Sequence, residues 1–347
     1  LLEKTGWGDR VRMVSPTDAD YFAEVSPDLQ VRLFAGFAAT DMLQAALHHV
    51  RPVEKTSGLA QAIHDHFFGE LKTLLRRTGP RKLLRAVGEV FNGIFGLRDL
   101  LRRAGLEFAA AKDFSRDVPT VALVGEIYVR LDPFANDFLI EKLEERGLRV
   151  LLAPIIEWLM YTTSVEIQRF REDRVLPGDG RISAEITRTL QKQIVTRLHR
   201  TVGGPLGWNS PTGVGQVLRA ARPYINPELT GEAVLTLGGP VHEYRHGVID
   251  GVVAIGPHEC MPNKIVEAQL PHVGEETGLL SLALSVNGDP LDPEVLDRFA
   301  FQVVERYRKR RRISPEQSFV PGPLLSPFDY ETPVPIPTFL STRNKVQ

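Results

Sequence analysis

Residues 118–153 read VPTVALVGEIYVRLDPFANDFLIEKLEERGLRVLLA, and this stretch decides the fold class. Pro119 to Gly125 is a short apolar run ended by glycine, the pattern of a buried strand. Glu126 to Pro133 is a polar loop. Asn136 to Arg146 repeats its apolar residues at helical spacing, and Gly147 follows as a helix stop. Arg149 to Ala153 is a second apolar run. Strand, helix and strand at this spacing make a βαβ unit, whose crossover implies a parallel pair.

Downstream, residues 155–201 return to helical spacing, broken at Pro177-Gly178-Asp179-Gly180. A second α/β block follows. Its expected strands are Glu232 to Leu237, Gly251 to Ile255 and Leu279 to Val286. Its expected helices lie near Pro240 to His246, at Pro262 to Leu270 and at Pro293 to Arg308. Upstream, 29–117 is a helical region with apolar residues at three and four spacing, punctuated by Arg51-Pro52 and Gly79-Pro80. The expected organisation is a βαβ lobe with helices over 118–201 and a C-terminal α/β lobe over 202–312. The chain opens on Leu1-Leu2-Glu3-Lys4, which reads as the last turns of a helix. Gly6 and Gly8 then precede a short strand at Arg10 to Val14. Residues 1–28 are therefore expected to be the remnant of a truncated N-terminal lobe. Residues 313–347 hold 7 of the 25 prolines and no usable period, and are expected to form an extended tail.

Composition narrows the function classes. The 347 residues are 43% hydrophobic and 24% charged, with a formal net charge of −1, so no global field points to nucleic acid or to an acidic membrane. Basic pairs such as Arg76-Arg77, Arg81-Lys82 and Arg102-Arg103 fall near helix ends, where cations complement the dipole. The single cysteine excludes an internal disulfide framework and fits a reducing compartment. No apolar run reaches the length of a membrane span, and a cytoplasmic location is expected.

Two loops stand out. The first, Glu126 to Asn136, leaves the carboxyl end of a strand with Glu126, Tyr128, Arg130, Asp132 and Asn136. That edge of an α/β sheet is where ligands bind, although Asp132 or Asn136 can equally cap the next helix and Arg130 can pair internally. The second runs from Ile255 through His258 and Cys260 to Glu267, again strand to helix, with Pro262 suited to the first helical turn. Cys260 there would precede a helix N-terminus, a setting that favours thiolate. The alternative is a small buried hydrophobe.

A third motif points elsewhere. His242-Glu243-Tyr244-Arg245-His246 matches the H-E-x-x-H of zinc hydrolases, with two histidines for the metal and the glutamate for a water. Pro240 and Gly247 confine it to about two helical turns, so a solvated face is the competing account. Gly213-Val214-Gly215 is too short for a dinucleotide fingerprint, and His48-His49 and His64-Asp65-His66 read as helix-surface positions.

The phrases VGEIYVRLDPFAN (124–136), GEAVLTLGGPVHE (231–243) and DGVVAIGPHECMPNKIVEAQL (250–270) resemble the 2-hydroxyacyl-CoA dehydratase components and the CoA-activase-related proteins associated with them. Order and spacing match as well, over about Leu1 to Arg308. The resemblance implies Rossmann-like parallel βα lobes with a helical insertion. It implies an iron–sulfur cluster of the four-iron four-sulfur type held partly by Cys260, and an interlobe cleft lined by Glu126, Tyr128 and Arg130. It also implies a CoA thioester as substrate, and an activator ATPase or second subunit as partner. The chain departs from the family in three ways. It has one cysteine where a cubane needs about four ligands. It has His258 where phenylalanine is common, which makes His258 either a non-thiolate ligand or a polar neighbour. It lacks the activator's ATPase signatures, and the family's glycine-proline-cysteine-arginine loop falls just upstream of Leu1. A non-catalytic relative that keeps the fold without a cluster is the alternative.

Overall fold

The computed structural model describes residues 4–8, 10, 26–76, 83–172, 179–226, 229 and 231–313. Residues 11–14 of the expected strand, 177 and 178 of the break, whose 179 and 180 begin a helix, and 314–347 of the proline-rich tail lie outside the described residues.

Four helices come first: α1 (Pro27–Val50), α2 (Leu59–Arg76), α3 (Leu83–Asn92) and α4 (Leu97–Ala111). The first βα stretch contributes β1 (Thr120–Gly125), α5 (Ile127–Leu131), α6 (Leu139–Glu145) and β2 (Arg149–Leu152). Helices α7 (Ile155–Glu172), α8 (Asp179–Leu206), α9 (Val214–Ala221) and α10 (Glu232–Arg245) precede β3 (Gly251–Pro257). The described chain closes with α11 (Met261–Thr277), β4 (Leu280–Val286) and α12 (Pro293–Ile313).

The strands form one sheet in the order β2-β1-β3-β4, and every pairing is parallel. The two βα stretches therefore share a sheet, joined where β1 pairs with β3 from Val121↔Gly251 to Gly125↔Ile255. Strand side chains alternate between two cores, as the pleat requires. Ala122, Val124, Val252 and Ala254 pack with α9, α10 and α11, while Val121, Leu123, Val253 and Ile255 pack with α6 and α12. With both faces covered, the strands need continuous apolar runs, which is what β1 and β3 supply. A third core unites α1, α2, α4 and α8 with the start of α7, so the helical region has an interior of its own. Among the described residues no helix is long and apolar enough to cross a membrane.

Two local expectations are corrected. Glu232 to Leu237 is the first half of α10, not a strand, and the helix continues through Pro240 to Arg245. Every residue from Ala233 to Val241 is buried, and an apolar run buried on all sides carries no period that separates strand from helix. Gly238 permits the burial, because a Cβ there would stand 2.3 Å from the Val217 carbonyl oxygen of α9. The polar loop Glu126 to Pro133 contains the helical turn α5, and the helix expected from Asn136 starts at Leu139. Asp137 and Phe138 adopt left-handed backbone between the two helices. The buried Asn136 side chain holds that turn, donating to the Val129 and Arg130 carbonyls and accepting from the Leu139 amide.

Candidate functional site

Because the sheet is parallel, the loops after β1 and β3 leave the same edge. They are also adjacent: the Glu126 amide donates to the Ile255 carbonyl at 2.9 Å. From this pair the chain diverges. Helices α5 and α6 carry β1 outward to β2 over one face, and α11 carries β3 to β4 over the other. That divergence is the topological switch point where open α/β sheets bind ligands.

On the β1 side most of the polar atoms are engaged by the fold itself. Glu126 is the N-cap of α5, its carboxylate accepting from the Tyr128 amide (3.1 Å) and the Val129 amide (2.8 Å). Asp132 accepts from the Ala135 amide at 2.8 Å. Arg130 is only 6% exposed, and its guanidinium donates to the Gly125 carbonyl at 2.6 Å and the Pro154 carbonyl at 3.4 Å. Its Nε has no hydrogen-bond partner among the described residues. Tyr128 is exposed. Of the three residues expected to line the cleft, Tyr128 is exposed, Glu126 is half-buried and Arg130 is buried.

Around Arg130 lies a group of acids that sequence reasoning missed. Burial pulls the guanidinium down from its usual value, and Glu157, Glu232, Asp41 and Glu126 act against that by favouring its charge. Burial in turn pushes Asp41 up to about 7, opposed by the Ile156 and Ile155 amides, and pushes Glu157 up to about 7, opposed by Arg130. Glu232 is raised for the same first reason, with Arg130 and the Ile127 amide pulling it back. Glu243 is pushed up to about 8 by burial and by Glu157. One buried cation therefore sits among carboxyls that cannot all ionise together. Arg130, Glu157, Glu232, Trp158 and Thr236 border a cavity of about 10 Å³, room for roughly one water. The acids come from α1, α7 and α10, and each is a lone carboxyl in a largely apolar helical run, the one signal that would have marked them.

On the β3 side, Cys260 is free, partly buried and the N-cap of the 17-residue α11. Its amide donates to the Pro257 carbonyl at 3.1 Å, and its carbonyl accepts from the Lys264 amide at 2.9 Å. No side chain caps this helix. His258 is exposed, tied to β4 through its amide and the Val286 carbonyl at 3.0 Å. Glu259 between them has φ +63°, the left-handed conformation rare outside glycine, and so shapes the loop at some cost. Cys260 is thus at a loop on the sheet's carboxyl edge, outside the three apolar cores.

The H-E-x-x-H lies at the far end of α10. His242 and His246 lie against each other with ring centroids 4.0 Å apart and planes tilted by 40°, while Glu243 interacts with Glu157 of α7. The glutamate that would activate a metal-bound water is therefore directed to a different neighbourhood from the histidines. Among the described residues no three His, Cys, Asp or Glu side chains are grouped to hold a metal ion.

Comparison of the chain with family models, with curated proteins and with solved structures finds no match.

Proposed function

We propose that the chain is a Rossmann-like component of an iron–sulfur-dependent 2-hydroxyacyl-CoA dehydratase or CoA-thioester reductase-like system. It supplies one wall of a composite site and one cluster ligand, Cys260. The observation that supports this most is the placement of the only cysteine: partly buried and free, at the carboxyl edge of the sheet, beside the β1 turn. The donor set of this chain alone does not fit an intact cluster, since one thiolate with an imidazole two residues away falls short of about four ligands. The remaining ligands belong to a second, cysteine-bearing dehydratase-type component. Within the chain, Glu126 and Arg130 act as positioning residues that fix the turn after β1, and Tyr128 and His258 are the side chains left exposed toward a partner or a thioester.

A second reading, a non-catalytic relative that keeps the fold without a cluster, is favoured by the engagement of Glu126 and Arg130 in purely structural bonds. Anaerobic iron–sulfide reconstitution separates the two. The chain alone is expected to retain little iron, and its mixture with the second component about four irons per complex. A full complement on the chain alone would overturn the ligand count. An iron-free mixture would favour the second reading.

A further inference from the structure

We infer that the groove between α9 and the C-terminal turn of α10 is a binding site for the phosphoryl group of a small molecule, separate from the carboxyl-edge site. Arg219, Arg245, His242, His246 and Gln216 border an open groove of about 320 Å³. No acidic side chain is among the described residues that line it. It lies at the opposite end of α10 from Glu232, about 20 Å along the helix at 1.5 Å per residue.

Clustered cations in proteins ordinarily meet carboxylates, and guanidinium forks are suited to phosphate as well as to carboxylate. Here two guanidiniums and two imidazoles border one groove with no carboxylate among its described lining residues. The arrangement is also held in place. Tyr224 accepts from Arg245 at 3.2 Å and donates to Glu276 of α11 at 2.7 Å, fixing the guanidinium from behind. His246 Nδ1 is 2.7 Å from the His242 carbonyl oxygen, so Nδ1 carries the proton and Nε2 is left for the groove. Burial lowers His242 to about 4, and His246, Arg219 and Arg245 all push the same way. An anion in the groove would act against those three electrostatic effects. The same cations disfavour a metal ion at the histidine pair, which offers only two ligands.

Pyrophosphate serves as the probe, titrated calorimetrically at constant ionic strength so that general screening is matched. The expected result is saturable one-site binding, weakened about tenfold or more in Arg219→Gln and in Arg245→Gln. Both residues are exposed, and unchanged circular dichroism would show that the variants fold. His242→Gln is expected to weaken the binding further at pH 6 than at pH 8. Absence of binding, or binding untouched by both arginine substitutions, would overturn the inference. So would zinc binding that depends on His242 in a protein indifferent to pyrophosphate. Capture by phosphatidate vesicles without pyrophosphate binding would also overturn it, by assigning the groove to a membrane surface.

Discussion

Gly125 at the end of β1 approaches Ile255 of β3 so closely that a Cβ on the glycine would stand 1.8 Å from the Ile255 carbonyl oxygen. Gly125 also has φ +119°, a conformation open to glycine and strained for other residues. The contact sets how near the loops after β1 and β3 come, since the next amide, of Glu126, donates to that same oxygen. Gly125→Ala is therefore expected to destabilise the protein by at least roughly 3 kcal/mol, combining backbone strain with a clash that no rotamer relieves. Urea denaturation of the two proteins is the check, and a loss under 1 kcal/mol would contradict the close approach.

Arg130 is expected to be as important to the fold as Gly125, for an electrostatic reason. Replacing it with methionine leaves Glu157, Glu232 and Asp41 without their cation in a low-dielectric setting, a change that typically costs about 3–5 kcal/mol. The loss should shrink as pH falls from 8 to 5, because those carboxyls protonate. Chemical denaturation across that range tests both the size and the trend, and a loss independent of pH would separate Arg130 from the acids.

The buried Asp41 and the half-buried Glu157 and Glu243 also set the pH dependence of the native protein. Asp41, Glu157 and Glu243 have folded values raised above the 3.8 and 4.5 of free Asp and Glu. Between those values and about 7 to 8 the folded state retains protons the unfolded chain has lost, so their contribution falls as pH rises. Below about 6.5 the buried His48 and the half-buried His49 and His199, all lowered by desolvation, work in the opposite sense. Lys112, lowered to about 8 by burial, opposes the acids only near pH 8 and above, so between about pH 6.5 and 8 the acids dominate and stability is expected to fall by about 3 kcal/mol at most. Glu243→Gln should flatten that slope in thermal unfolding scans. An unaltered slope would remove Glu243 from the coupled group.

The strands were legible because buried parallel strands read as unbroken apolar runs, as Val121 to Val124 and Val252 to Ile255 do. The loops at Glu126 and Cys260 were legible because each follows such a run. Helix α10 was not, since Ala233 to Val241 is apolar on every side and loses the stripe that marks a helix. The acid group was hidden for a different reason. Asp41, Glu157 and Glu232 meet only through the packing of α1, α7 and α10 around Arg130, and a lone carboxyl in an apolar helical run does not by itself name its partners. Glu243 was visible only as the glutamate of H-E-x-x-H, whose His242 and His246 contact each other while Glu243 interacts with Glu157.

The role assigned to Cys260 can be measured directly by iron content. The reconstituted complex with the second dehydratase-type component would be prepared anaerobically with the native chain and with Cys260→Ser, and iron and sulfide counted per complex. Cys260 is a partly buried N-cap whose own side chain makes no capping bond, so the substitution is not expected to unfold the chain. The expected result is about four irons with the native chain and a partial or labile complement with the variant, accompanied by an altered visible absorption. Identical iron content and spectra in the two complexes would contradict the account.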